Sequence, residues 1–200
     1  MKSVASLMDH VTAYRLWQAP FVKQKLAPLR QYNDWGSIRS VLDVGCGPGV
    51  NTRHFGHADY LGIDLSPQYL AYARRRYQRE FVVADASRFA LSVDVRFDFI
   101  LLNSLLHHVD DLRAACILAH ARTLLSSDGH VHILDLVLPS TPGVARQLAA
   151  WDRGGYPRAL AAWQALFIRH FQPVVFQPYA ISMGGIVLWH MVYFKGRSVA

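Results

Sequence analysis

The stretch Val41-Leu42-Asp43-Val44-Gly45-Cys46-Gly47-Pro48-Gly49 decides the interpretation of this chain. It begins with a short apolar run, which is typical of a buried strand, and then places three glycines at alternate positions. Glycine has no Cβ and readily adopts positive φ, so the backbone of such a turn can approach a ligand closely. A strand that runs into a glycine turn of this kind is typical of cofactor-binding α/β proteins.

The spacing of the glycines separates two kinds of cofactor site. The dinucleotide fingerprint Gly-x-Gly-x-x-Gly would place its third glycine at Val50, whereas here the third glycine is Gly49. Pro48 also removes one N–H that could face a pyrophosphate. The loop therefore favours an adenosylmethionine site over an NAD site. A glycine turn used only for packing is the less favoured alternative.

Two aspartates follow the loop at the ends of successive predicted strands. Asp64 closes the predicted strand 60–64, where its carboxylate could accept hydrogen bonds from both hydroxyls of a ribose. Asp85 follows the predicted strand 81–84, where it could accept from an adenine amino group. Either aspartate alone is more often a cap or a turn former. Together, behind a glycine loop, they indicate a nucleoside site.

Strand and helix patterns alternate through most of the chain, which predicts a mainly parallel sheet with helices on both faces. Predicted strands occupy 40–44, 60–64, 81–84, 97–102, 130–138, 174–179 and 186–194. Predicted helices occupy 49–56, 66–79, 110–125 and 157–171, and residues 1–35 have a helical amphipathic pattern. A Ser-Asp-Gly turn is expected at 127–129, and a Met-Gly-Gly turn should make the last two strands a hairpin. The predicted fold class is α/β: a three-layer Rossmann-like sandwich with a seven-stranded, mainly parallel sheet and an antiparallel C-terminal hairpin.

We expect one domain over residues 1–200, with a helical cap at 1–35, a cofactor-binding core at 40–138 and a substrate-side segment at 139–200. The composition, 52% hydrophobic and 18% charged, excludes a disordered chain. Polar residues such as Asp9 and His10 argue against a signal peptide, and the two cysteines form no metal-binding cluster. We therefore expect a cytoplasmic protein without a metal.

The net charge of +7 is scattered along the chain apart from the basic run at 74–76. We interpret that run as a solvated helix face rather than a patch that binds nucleic acid or lipid.

Five segments in order carry a resemblance to a known family: VLDVGCGPG, YLGIDLSPQYL, FVVADASRF, FDFILLNSLLHHVDD and LLSSDGHVHILDLV. Over residues 40 to about 138 the chain resembles the class I S-adenosylmethionine-dependent methyltransferases. It is most similar to the small-molecule group that includes the ubiquinone and menaquinone C-methyltransferases. The family often has Gly-Gly before the fifth strand, where this chain has Asp128-Gly129-His130.

The resemblance implies a set of cofactor-binding residues. In the glycine loop, Gly45, Gly47 and Gly49 would line the methionine moiety. Asp64 would hold the ribose, Leu65 would pack on the adenine, Asp85 with Ala86 would face the adenine edge, and Asn103 would border the transferred methyl group. Asp43 and Cys46, in the same loop, complete the expected binding set.

Candidate catalytic residues follow the fourth predicted strand. His107 or His108 could take a proton from an acceptor hydroxyl, with Asp135 of the neighbouring fifth strand orienting the imidazole. The alternative is that both histidines cap or pack against the next helix. Four aromatic residues could line the acceptor or could be core packing, and core is favoured for each one singly: Tyr14, Trp17, Trp151 and Tyr156.

The favoured function is methylation of a small molecule, at oxygen rather than carbon or nitrogen. No Asn/Asp-Pro-Pro-aromatic motif follows the fourth strand, which disfavours an exocyclic base amine as acceptor. The alternatives are a quinone or lipid methyltransferase associated weakly with a membrane surface, an RNA methyltransferase, and a non-catalytic protein that binds S-adenosylmethionine. An NAD-linked oxidoreductase is the least favoured.

Overall fold

The computed structural model describes residues 20–89, 91, 94–152 and 154–199. Its seven strands form one sheet in the order β3-β2-β1-β4-β5-β7-β6. The strands are β1 Ser40–Val44, β2 Asp59–Asp64, β3 Glu80–Val83, β4 Phe97–Asn103, β5 Leu125–Val137, β6 Phe171–Met183 and β7 Ile186–Ser198. The α-helices are α1 Val22–Lys25, α2 Ala27–Gln31, α3 Pro67–Arg76, α4 Asp111–Thr123, α5 Val144–Trp151 and α6 Leu160–Ile168. Short 3₁₀-helices cover Trp35–Ser37, Thr52–His54 and Leu106–His108.

The sheet is parallel from β3 to β5 and antiparallel at the β7–β6 edge. β1 lies between β2 and β4, so the chain leaves β1 toward one side and later continues on the other. This reversal of strand order opens a crevice at the carboxyl ends of β1 and β4. The predicted fold class, including the C-terminal hairpin, is confirmed.

The central strands are buried on both faces, as in other parallel sheets covered by helices. On one face Ile100 and Leu102 of β4 belong to a cluster with Leu118 of α4. On the other face Phe99 and Leu101 pack in a second cluster that includes Leu70 of α3. A strand held in this way fixes the positions of the loops at its carboxyl end.

Several predicted boundaries were wrong for local reasons. The helix expected at 49–56 is only the 3₁₀-helix Thr52–His54, because Gly49 has a φ of 76° and leaves too few residues for a regular helix before Gly56. The turn expected at 127–129 lies within β5, which begins at Leu125. The helix expected at 157–171 is shorter, since β6 already begins at Phe171.

Other boundaries agree more closely or were missed. Ser66 caps α3 as expected, with its Oγ accepting from the Tyr69 N–H at 3.2 Å, although the helix ends at Arg76 rather than 79. α5, Val144–Trp151, was not predicted. Of the expected cap at 1–35, residues 20–35 form the short helices α1 and α2, while Tyr14 and Trp17 lie outside the described residues. Within the described ranges, no helix has both the length and the apolar character needed to cross a bilayer.

Candidate active site

The glycine loop leaves β1 as a series of positive-φ turns. Gly45, Gly47 and Gly49 have φ values of 70°, 53° and 76°. A Cβ at Gly45 would lie 2.7 Å from Cδ1 of Leu105, whereas a Cβ at Gly47 would meet nothing within 4 Å. Gly45 is therefore needed for packing, while Gly47 borders open space at the crevice.

Asp64 ties the loop to the end of β2. Its Oδ2 accepts from the Gly47 N–H at 2.9 Å, and its Oδ1 accepts from the Ser66 N–H at 2.8 Å. An ionised carboxylate has about four acceptor positions. Two backbone bonds therefore leave Asp64 able to accept from ligand hydroxyls as well.

Beneath the loop, a buried polar chain connects β1 to the end of β4. Asp43 Oδ2 accepts from the Tyr60 hydroxyl at 2.7 Å and from Asn51 Nδ2 at 3.1 Å. Asn51 Oδ1 in turn accepts from Asn103 Nδ2 at 3.1 Å. Burial raises the pKa of Asp43 to about 6, against the opposing effect of these two hydrogen bonds. These hydrogen bonds hold the Asn103 side chain at the crevice.

Asp85 lies just after β3, and one of its two oxygens is held within its own turn. Oδ1 accepts from the backbone N–H and the hydroxyl of Ser87, at 3.0 and 2.7 Å. Hydrogen bonds from Ser87 lower the pKa of Asp85, with smaller contributions from Arg113 and Arg88. Leu65 is 63% exposed beside this site, and Ala86 is half-buried. The hydrogen bonds from Ser87 thus favour the ionised form of Asp85.

The backbone turns sharply where β4 ends. Ser104 has a φ of 55°, which is uncommon for a residue other than glycine, and its N–H donates to the Leu134 carbonyl at 2.8 Å. Strain of this kind often clusters at functional sites. The turn directs the 3₁₀-helix Leu106–His108 over the end of β5.

That turn brings His107 and Asp135 together in a buried pair. His107 Nδ1 is 2.5 Å from Asp135 Oδ1, and the Leu106 N–H donates to Asp135 Oδ2 at 2.8 Å. His107 is only 4% exposed and Asp135 is fully buried. His108 is exposed, and its ring centroid is 4.1 Å from that of His107.

The other ring nitrogen of His107 faces a second carboxylate. Nε2 is 3.1 Å from Oδ1 of Asp152, the residue that follows α5. Carboxylates only accept hydrogen bonds, so an imidazole bonded to both is protonated on both nitrogens. Burial lowers the pKa of His107, but the charge of Asp135 and the hydrogen bonds to Asp135 and Asp152 outweigh it and raise that pKa to about 9.

The loop after α5 closes over His107. A Cβ at Gly154 would lie 2.2 Å from His107 Cδ2, and the Tyr156 N–H donates to the His107 carbonyl at 3.0 Å. Trp151 is 78% exposed and Tyr156 50% exposed. The core interpretation of these two aromatic residues was therefore wrong. Their contact with an acceptor stays a prediction.

Comparison with known proteins agrees with this geometry. The family model described as a methyltransferase domain matches residues 41–129, from β1 into β5. Juvenile hormone acid O-methyltransferase of Drosophila melanogaster is 30% identical over 137 residues, which are 62% of this chain and 45% of that protein. An uncharacterized methyltransferase of Mycobacterium bovis is 27% identical over 144 residues, 69% of each protein.

Over residues 41–129 the chain matches the methyltransferase domain family, and its relatives and structural neighbours include methyltransferases. Its fold matches that of an O-methyltransferase from neocarzinostatin biosynthesis, solved with S-adenosylmethionine and 2-hydroxy-5-methyl naphthoic acid. The TM-score is 0.72 at 18% identity, over 98% of this chain and 59% of the other. The chain spans about half the length of the Drosophila relative, 45%.

S-adenosylmethionine is the cofactor of this methyltransferase family, and the crevice offers it suitable groups. Gly47 leaves space at the loop. Asn103 Oδ1 is buried and accepts no hydrogen bond from the described residues, so a ligand donor would satisfy it. Asp64 and Asp85 lie at the ends of adjacent strands, and Leu65 is exposed between β2 and α3.

Some polar residues of the crevice were not predicted from the sequence. Asn51 follows the glycine loop directly, and its polar character in an otherwise packed segment was a usable signal. Tyr60 opened a predicted strand and gave no such signal. Asp152 lies in the segment assigned to the acceptor, but nothing in the sequence pairs it with His107.

The basic run is partly structural. Arg74 Nε donates to the Phe81 carbonyl at 3.1 Å, and Arg79 Nη1 donates to the Ala58 carbonyl at 3.1 Å. Both side chains tie α3 and its following turn to neighbouring segments. These two arginines therefore have a structural role, although residues 74–76 are exposed on the helix as expected.

Proposed function

We propose that this chain transfers the methyl group of S-adenosylmethionine to a hydroxyl oxygen of a small-molecule acceptor. The observation that carries the proposal is the buried His107–Asp135 pair at the carboxyl ends of β4 and β5, beside Asn103 and the glycine loop. Two similar proteins, the Drosophila relative and the neocarzinostatin enzyme, are O-methyltransferases, which supports an oxygen acceptor.

The cofactor, when bound, supplies an activated methyl group on a sulfonium. The protein then has to align the acceptor and exclude water. In this proposal Asp43, Gly45, Cys46, Gly47 and Gly49 hold or border the methionine end of the cofactor.

At the nucleoside end of the same proposed site, Asp64 holds the ribose. Leu65, Asp85 and Ala86 enclose the adenine, and Asn103 borders the methyl group. These positions surround the carboxyl ends of β1 to β4, where the sheet opens its crevice.

The proposed catalytic step at the acceptor is proton removal. His107 Nε2, when unprotonated, can accept the hydroxyl proton while Asp135 holds Nδ1–H and stabilises the charged imidazole. His108 is the second candidate, since it is exposed at the same turn. A histidine–carboxylate pair at this position can remove the proton of a hydroxyl acceptor. An acceptor that arrives already deprotonated would not need such a base.

The test has two parts. Calorimetry with S-adenosylmethionine and S-adenosylhomocysteine should show micromolar-range binding, with NAD as the control that does not bind. Release of S-adenosylhomocysteine is then measured against three acceptor sets matched in size: phenols and alcohols, carboxylic acids, and amines. Turnover of hydroxyl compounds supports the proposal.

Other outcomes point elsewhere. Turnover of amines alone would contradict the oxygen assignment. Binding of NAD but of neither sulfur ligand would contradict the cofactor assignment. Flotation with liposomes would support the membrane-surface alternative, and a salt-sensitive shift of RNA the nucleic-acid alternative.

A further inference from the structure

We infer that Asp152 is a positioning residue that occupies the acceptor's place at His107, so that an acceptor hydroxyl must displace its carboxylate from Nε2 before methyl transfer. The inference rests on the proposed function, since it concerns the same hydroxyl and the same imidazole.

The contacts of His107 carry the first step. Nδ1 is bonded to the fully buried Asp135, so that side of the ring is not available to an acceptor. Nε2 is the remaining nitrogen, and Asp152 Oδ1 lies 3.1 Å from it. A hydroxyl that gives its proton to His107 must reach the same nitrogen at a similar distance. The carboxylate and the hydroxyl therefore compete for one position.

The two carboxylates differ in how firmly they are held. Asp135 lies in the interior of β5, and its Oδ2 accepts from the Leu106 N–H. Asp152 follows the last residue of α5, its side chain is 34% exposed, and its other described hydrogen bond comes from the Gly154 N–H at 2.9 Å. Gly155 next to it has a φ of 76°. Asp152 is thus the carboxylate that can move without disturbing the sheet.

Charge gives the reason for the competition. His107 faces Asp135 from β5, Asp152 from the loop after α5 and His108 from its own 3₁₀-helix. Lys25 of α1 interacts with both carboxylates: burial lowers its pKa to about 8, against their opposing attraction. While Asp152 is in place, both ring nitrogens donate and no lone pair remains for a substrate proton. When Asp152 leaves, the imidazolium loses one of its two anionic partners and releases its proton to solvent more easily.

The transfer step then balances. The acceptor oxygen forms a bond to the methyl carbon as the carbon–sulfur bond breaks, and the electron pair of that bond remains on sulfur. The hydroxyl proton passes to His107 Nε2, which becomes an imidazolium held by Asp135. Return of Asp152 after product release restores the starting contact.

The first experiment measures the contact without needing activity. Imidazole ¹⁵N chemical shifts of the full chain, with S-adenosylhomocysteine present, give the pKa of His107 in the wild type and in three variants. We expect a value of about 9 in the wild type. In Asp152→Asn it should fall by about one unit or more, because one of two close opposite charges is removed. Asp152→Glu keeps the carboxylate and should keep the pKa raised.

The matched control is Asp59→Asn. It removes the same charge from an exposed residue at the first position of β2, at the end of the strand away from the crevice. It should leave the pKa of His107 and the kinetics unchanged. An unchanged pKa of His107 in Asp152→Asn overturns the inference.

The second experiment separates a competing carboxylate from a merely structural one. With a hydroxyl acceptor, Asp152→Asn should lower KM at pH 7 and leave kcat near the wild-type value, because Asp152 is already displaced in the bound complex. The rise of kcat/KM with pH should move to lower pH, so that kcat/KM at pH 7 increases about tenfold for each unit by which the pKa falls. A loss of kcat similar to that of His107→Ala would overturn the inference. If no acceptor of any class is methylated, the proposed function fails, and the pKa of His107 in Asp152→Asn alone decides whether the contact exists.

Discussion

Replacing His107 with glutamine should remove a pH-dependent part of the free energy of unfolding. The imidazolium lies between Asp135 and Asp152 and is 4% exposed, so solvent screens these interactions little. Its pKa is raised from the ordinary 6.5 to about 9. At about 1.4 kcal/mol for each pKa unit, this difference is worth on the order of 3 kcal/mol.

The direction follows from which form the fold prefers. The folded chain holds the His107 proton more tightly than the unfolded chain, so the stabilisation is fully present below about pH 6.5. It is lost as pH rises through about 9. The stability advantage of the wild type over His107→Gln should therefore shrink by on the order of 3 kcal/mol between pH 6 and pH 10.

Urea unfolding of both chains at several pH values gives this difference directly. Lys25 titrates in the opposite sense, because its lowered pKa of about 8 makes the fold gain stability as pH rises. Lys25 is present in both chains, so subtraction removes most of its effect. His57→Gln, at an exposed histidine, controls for loss of an imidazole elsewhere. A difference between wild type and His107→Gln that stays constant from pH 6 to pH 10 would refute the reasoning.

Four further predictions concern the proposed cofactor site and the turn that carries His107. Asp64→Ala should weaken S-adenosylmethionine binding by roughly 1–3 kcal/mol in calorimetry, since a charged acceptor is lost; unchanged affinity would exclude the ribose role. Gly47→Ala should leave the fold intact apart from a modest cost of about 1 kcal/mol for its positive φ, yet reduce cofactor affinity. Gly154→Ala should lower Tm more, because its Cβ would meet the His107 backbone at 2.5 Å; equal Tm values for the two glycine variants would contradict this packing. His107→Ala should lower kcat on a hydroxyl acceptor about a hundredfold or more, while cofactor affinity stays near normal. Near-full activity in His107→Ala, in His108→Ala and in the double variant would instead indicate catalysis by alignment alone.

The mainly parallel sheet and the glycine turn after β1 could be predicted from the sequence because their signals are local. Apolar runs of strand length ended at Gly45, Asp64 and Asp85, and parallel strands must present those ends at one edge. The hairpin between β6 and β7 was equally local: Gly184 and Gly185 both have positive φ, as a tight turn requires.

Local signals failed where one residue's conformation overrode a pattern. The pattern of residues 49–56 was compatible with a helix. The positive φ of Gly49 interrupts helical backbone geometry there, and only a short 3₁₀-helix forms. Trp151 and Tyr156 are large aromatic residues of the kind usually found in a core, yet both side chains are exposed in the structure.

The sequence by itself determined a Rossmann-like methyltransferase fold and placed the glycine loop, Asp64 and Asp85 at one edge of its sheet, because the spacing of strands and turns encodes both. It also placed His107 just after the fourth strand and Asp135 on the neighbouring fifth strand. Only the tertiary structure brought Asp152 to the far side of the imidazole, and Asn51 between Asp43 and Asn103. These contacts join residues that are distant in sequence. They form only when α5 and the glycine loop pack against the sheet. Asp135 and Asp152 then favour the charged form of His107 against the opposing effect of burial, since a protonation state depends on every group packed around the ring and not on its neighbours in sequence.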